Sequence, residues 1–240
     1  DQKGTNSTFT QGHRFGVRLE HEFSENTSIL FEPQFNFGKG SFNEFSDFQT
    51  YTERDNVSDS TNRGYNRNLG DNDSWSTSGF LLFRQKLGKP GRTISANFRY
   101  SFSNNDLFGF NQSLTSVKDT SGVWKDDPVN QRFDQNSKST SLNARVVYTE
   151  PITEHLFVEA NYSYGWARNT SYKNTFNSGS DLVEDGLLVF DPSGESIDER
   201  YSNRILNRSI TQRAGVNFSY QQKKFRAQLG ASVNPTDTYN

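Results

Sequence analysis

The chain has 240 residues, 31% of them hydrophobic, yet 14% are aromatic, with 21 Phe, no Cys and no Met, and its 26 basic and 28 acidic residues leave a net charge of -2. Disordered chains are short of aromatics and carry excess charge, so a mean hydropathy of -0.88 here describes a folded protein whose apolar content sits in a few large rings. No apolar run approaches the roughly 18 to 20 residues of a spanning helix. There is no heptad pattern, no thiol for a disulfide or metal site, and no basic excess to drive nucleic-acid binding.

Period two dominates along the chain. Phe15, Val17, Leu19, His21 and Phe23 alternate with Arg14, Gly16, Arg18, Glu20 and Glu22, which predicts a strand with one apolar and one charged face. After Ser24-Glu25-Asn26-Thr27 a second strand carries Ile29, Phe31, Phe35 and Phe37 on one face and Glu32, Gln34 and Asn36 on the other, with Pro33 interrupting the apolar row. The unit recurs at Leu81, Phe83 and Leu87, turns at Gly88-Lys89-Pro90-Gly91, and continues at Ile94, Ala96, Phe98, Tyr100 and Phe102. A third copy runs from Leu142 to Tyr148, turns near Glu150-Pro151-Ile152-Thr153, and returns from Leu156 to Tyr164. The fourth runs from Ala214 to Tyr220, turns at Gln221-Gln222-Lys223-Lys224, and ends from Phe225 to Val233. The spacing predicts about eight strands of roughly ten residues in four hairpins.

The connections alternate in length. The turns near 24–27, 88–91, 150–153 and 221–224 are short, whereas polar segments near 46–74, 104–137 and 168–208 are read as long loops. Such loops are uncommon in a compact soluble domain, while short turns on one side and long loops on the other are the pattern of an outer-membrane barrel. The expectation is therefore an all-β, antiparallel, up-and-down transmembrane β-barrel. Its apolar rows would face lipid, and its Arg- and Glu-bearing rows (Arg14, Arg18, Glu20, Glu22, Glu32, Arg84, Arg99, Arg145, Glu159, Arg213, Arg226) a wet interior. Two rivals share the alternation: a small closed eight-stranded barrel with a structural or adhesive role, and a secreted soluble β-sandwich that binds glycans.

Alternating aromatics at strand ends (Asn97-Phe-Arg-Tyr-Ser-Phe102, Glu159-Ala-Asn-Tyr-Ser-Tyr164, Val216-Asn-Phe-Ser-Tyr220), long Asn/Asp/Ser-rich segments and the closing Leu229-Gly-Ala-Ser-Val-Asn-Pro235 give the chain its style. In this it resembles the outer-membrane β-barrel family of TonB-dependent receptors from Bacteroidetes-type bacteria. The resemblance extends over essentially the whole chain and rests on style and spacing. It implies a bacterial outer-membrane location and a barrel of about 22 strands, of which the chain would supply about eight. It further implies a lumen closed by an N-terminal plug, energy from the TonB complex, a possible surface lipoprotein partner, and uptake of a scarce siderophore, glycan or peptide. The sequence departs from a full member in having no recognisable plug, TonB box or final aromatic-ended strand, and the start at Asp1 and stop at Asn240 read as an excised piece.

Chemistry-bearing motifs are sparse. His13, His21 and His155 have no zinc-site spacing, and there is no nucleophile elbow or phosphate loop. Asp71-Asn72-Asp73-Ser74 and Asp119 with Asp126-Asp127 offer hard oxygens without the spacing of a calcium loop. No catalytic residue, metal or cofactor is expected, and the protein is read as no enzyme. Rings outside the apolar bands can bind something or pack the loops; Trp75, Trp124, Trp166 and Tyr172 are the candidate ligand-binding residues.

Overall fold

In the computed structural model, which describes residues 1–54 and 57–239, alternation of side chains becomes one antiparallel sheet, and no helix occurs among those residues. The strands are β1 (Gln2–Gly16), β2 (Leu19–Ser24), β3 (Thr27–Arg54), β4 (Val57–Lys86), β5 (Thr93–Lys118), β6 (Trp124–Pro151), β7 (Leu156–Asn177), β8 (Val183–Glu184), β9 (Leu187–Leu188), β10 (Ser196–Ile197), β11 (Asn203–Gln222), β12 (Phe225–Val233) and β13 (Thr236–Tyr239). The order across the sheet is β1-β3-β4-β5-β6-β7-β11-β12. The short strands complete this path: β2 continues β1 along β3, β10 pairs with β7, and β13 continues β12 along β11. Sequential neighbours thus pair in an up-and-down meander of eight rails, as the alternation predicts, and β8 and β9 form a separate ribbon. The sheet is not closed: β1 and β12 lie at opposite ends of the strand order, and every residue of β1, β2, β12 and β13 is exposed.

The short turns lie where the sequence predicts them. Residues 25–26, 87–92, 152–155 and 223–224 break the strands on one side of the sheet. The opposite side corrects the sequence reading. Much of what was expected as long loops near 46–74, 104–137 and 168–208 is strand, because β3, β4, β5 and β6 each run for 26 to 30 residues. At about 3.3 Å per residue such a strand is roughly 90 to 100 Å long. Asn, Ser and Asp disfavour strands intrinsically, but their ladder here is saved by unbroken pairing with neighbours on both sides, for example Asn68 with Glu44 and Asn111. Only residues 178–202 leave the main ladder for long, and they carry β8, β9 and β10.

Little of the molecule is dry. Leu30, Tyr65 and Leu188 are the buried hydrophobic residues among those described, and the total accessible surface is 16295 Å². A compact protein of 27.4 kDa exposes about 11,000 Å². The difference follows from architecture: among the described residues one open main sheet, with only residues 178–202 lying against its faces.

Candidate functional site

Register sorts the side chains onto two faces, because directly paired residues share a face. On one face, between the short turns and the strand midpoints, lie Phe15, Leu19 and His21 of β1 and β2; Ile29 to Phe37 of β3; Phe83 to Trp75 of β4; Ile94 to Phe102 of β5; Tyr148 to Leu142 of β6; Leu156 to Trp166 of β7; Tyr220 to Ile210 of β11; and Phe225 to Val233 of β12, each taken at every second residue. Across all eight rails this band contains no Asp, Glu, Lys or Arg. The side chains are bare: Phe37 is 50% exposed, Phe218 48% and Leu229 74%. Eight rails at about 4.8 Å and nine residues at about 3.3 Å make a band of roughly 1,000 Å², larger than the 300–600 Å² patches typical of monomers.

The other face at the same level is polar. The Arg14 Nε donates to Asn36 Oδ1 at 2.8 Å, and Asn36 passes the chain on to Ser76 Oγ at 3.1 Å. Arg18 pairs with Glu20 at 3.2 Å and with Glu32, while Arg99 stacks on the Phe80 ring at 4.8 Å. Arg145 approaches Glu159 at 4.0 Å, and the Asn217 amide donates to the same carboxylate at 3.1 Å. The charged rows expected to share a face therefore do so. A hollow of about 690 Å³ lined by Arg18, Glu32, Gln34, Phe80, Arg99 and Asn143 opens on this side.

Higher up the same face, a cavity of about 660 Å³ is lined by Asn111, Gln131, Phe133 and Lys173 from the sheet and by Asp181, Arg200 and Tyr201 from residues 178–202. The return of that segment is anchored by Asp198, 5% exposed, which accepts hydrogen bonds from Gln131, Asn177 and Arg200. The Arg200 guanidinium, more than the other donors, holds its carboxyl below the usual range. The outward path of the segment crosses the opposite face: Leu188 N donates to Tyr65 Oη at 2.6 Å, Gln112 Nε2 donates to Leu188 O at 2.8 Å, and Phe190 packs on Phe110 at 5.5 Å.

The four aromatic candidates from the sequence lie in strands, not loops, and the register does not bring them together. Trp75 pairs with Phe37 at the top of the apolar band; Trp166 stands level with Leu142 and Ile210 in the same band. Trp124 opens β6 with Arg63 at 4.5 Å over its ring, and Tyr172 carries Arg204 at 4.8 Å. All four share the face of the apolar band, so none lines the two cavities described above, while Trp75 borders a hollow with His13 and Lys39, and Tyr172 one with Asp71 and Asp106. Three of the carboxylates offered for metal are otherwise engaged: Asp73 pairs with Lys39 at 3.3 Å, Asp119 accepts from the Ser121 and Val123 amides, and Asp126 accepts from Ser116 at 2.5 Å.

Sequence reasoning missed one grouping. Above the apolar band on the same face, Arg168 of β7 stands directly opposite Arg208 of β11, with Lys138 and Arg204 close by in register. Only the register shows that they are neighbours. No protein-family profile matches this chain, and no curated protein matches it.

Proposed function

We propose that the chain is a segment of a TonB-dependent outer-membrane receptor barrel, which takes up a scarce ligand through a plugged lumen. The observation that carries this reading is the uncharged, uncovered apolar band crossing eight antiparallel rails, backed by a face of Arg, Glu, Asn and Ser. In water such a band is unfavourable at about 25 cal/mol per Å²; facing lipid, it is the outer surface of a barrel, and the polar rows face the lumen.

Two further features support a barrel wall. On six of the eight rails the band spans nine or eleven residues, the length of a tilted transmembrane strand, and on the other two it spans seven. The band's upper end slips across the sheet: Ile210 is level, through Trp166, Leu142, Tyr100 and Gly79, with Pro33, about four residues below Phe37 on β3. That is nearly one residue per strand step, or a tilt of roughly 30–35°, close to the 35–45° of outer-membrane barrels. The unpaired edges favour a larger barrel over a closed one of eight strands, since flanking strands would satisfy the open N–H and C=O groups. The plug and the TonB complex come with this reading, as does a surface lipoprotein, and the polar cavity beneath residues 178–202 is the place for ligand contact.

The test is location and energy dependence. The protein carrying this chain is expected in the outer-membrane fraction, migrating differently when boiled and unboiled. Its loss should abolish uptake of one scarce nutrient to the same degree as loss of the TonB complex. A chain that is folded and monomeric in plain buffer excludes the membrane reading, and uptake indifferent to the TonB complex excludes the receptor reading.

A further inference from the structure

Like charges held directly opposite one another in a sheet are destabilising, so a strand pair that keeps two of them needs a counter-charge. Arg168 and Arg208 form such a pair, both exposed. Lys138 lies one diagonal step from Arg168, since its direct partner is Thr170. Arg204 is two pairs further up, laid over the Tyr172 ring. Among the described residues none of these four cations forms an ion pair. Two acidic side chains stand one diagonal step away, Asp106 from Lys138 and Asp237 from Arg208, and neither closes an ion pair; Asp106 instead accepts from Asn104 and Asn136. The guanidinium of Arg208 lies 5.2 Å from the Tyr239 ring, a contact that orients it without neutralising it.

Position identifies the counter-ion. The cluster begins one outward position above Trp166 and Ile210, where the apolar band ends, and it lies on the band's own face. A molecule that satisfies both surfaces has an acyl portion against Leu142, Trp166 and Ile210 and a phosphate one step higher. Paired guanidinium forks suit a phosphate's oxygens, and a flanking ammonium adds charge.

We infer that Arg168, Arg208, Lys138 and Arg204 form a binding site for the phosphorylated headgroup of a lipid in the outer leaflet, with the acyl chains lying on the apolar band beneath. The inference rests on the band facing lipid, as proposed above.

The experiment uses the protein carrying this chain, purified in detergent and titrated with diphosphoryl lipid A, with the same lipid dephosphorylated, and with inorganic phosphate, with native mass spectrometry as the readout. Diphosphoryl lipid A is expected to bind, the Arg168→Gln/Arg208→Gln variant to bind it roughly tenfold more weakly or worse, and Lys138→Gln to weaken it by a few-fold. Inorganic phosphate in excess should not displace the lipid. The double Gln variant should unfold at the same temperature as the parent or a higher one without lipid, because a repulsion has been removed; a purely structural role for the arginines would lower it. Equal binding by the variants, or equal binding of the dephosphorylated lipid, overturns the site. Displacement by inorganic phosphate overturns the lipid as its ligand. Protein that is folded and monomeric without detergent overturns the membrane reading and this site together, whereas detergent-dependent protein with indifferent variants overturns this site alone.

Discussion

The ring of Tyr100 occupies the space that a side chain on Gly79 would need: a Cβ built there comes within 2.3 Å of Tyr100 Cε1, and the two residues are direct cross-strand partners. A bare glycine in the apolar band is thereby covered by its neighbour's ring, a known way of recovering packing at a strand glycine. The same ring lies between Phe98 and Phe102, with centroids 6.4 and 5.8 Å away. Gly79→Ala is expected to destabilise by about 1–3 kcal/mol, the usual cost of overpacking. Equilibrium unfolding in detergent or bilayer checks it, and a neutral result means that Tyr100 swings clear without loss.

Ala144 and Ser141 test which face meets lipid. Ala144 sits in the apolar band between Phe98 and Tyr164, whereas Ser141 faces the polar side between Ser101 and Ala167. Ala144→Arg should cost about 2–4 kcal/mol of stability in a bilayer, as charges on a lipid-facing midplane do, and Ser141→Arg much less. Folding yield into vesicles against urea measures both. Equal tolerance would mean that the band does not face lipid.

The grip on residues 183–190 is local and can be released locally. Tyr65, 7% exposed, accepts the Leu188 amide, and Leu188 is 2% exposed. Tyr65→Phe leaves that buried N–H without its acceptor, a loss of about 1–3 kcal/mol. The Leu188 amide should therefore exchange with solvent roughly five- to hundredfold faster. Unchanged protection would show that another acceptor replaces the phenol.

Below the apolar band, Glu150 receives two hydrogen bonds from Arg92, at 2.7 and 2.8 Å, and one from Tyr148. The Arg92 guanidinium, first, and the Tyr148 hydroxyl, second, lower its carboxyl from 4.5 to about 2. A folded-state value below the unfolded one means that the stabilisation is complete above about pH 4.5 and is lost as pH falls toward 2. The parent should therefore lose thermal stability across that window, and Glu150→Gln should show a smaller loss between the same pH values. Parallel melting curves for the two proteins from pH 5 to 2 would remove Glu150 from the acid response.

Alternation alone, read residue by residue, was sufficient for the hairpins from Phe15 to Phe37, Leu81 to Phe102, Leu142 to Tyr164 and Ala214 to Val233, for their short turns, and for the sorting of apolar from charged faces. Side-chain direction in a strand is a local property with a period of two, so it is written in the order of residues. The long outer strands were not legible: Asn68, Asn111 and Ser137 have no intrinsic leaning toward extended structure, and their ladder exists only because partners distant in the chain are already aligned. The facing of the aromatic candidates was not legible for a related reason, since an isolated Trp75 or Tyr172 announces exposure but not direction.

The amino-acid order by itself determined that this is an all-β chain with one face fit for an apolar medium, because each strand's pattern needs no knowledge of its neighbours. Only the tertiary structure decided the stagger of the band, the crossing of residues 178–202 over Tyr65 and Gln112, and the opposition of Arg168 to Arg208. These depend on register between segments dozens of residues apart, and register is set by the summed pairing of whole strands rather than by any local run.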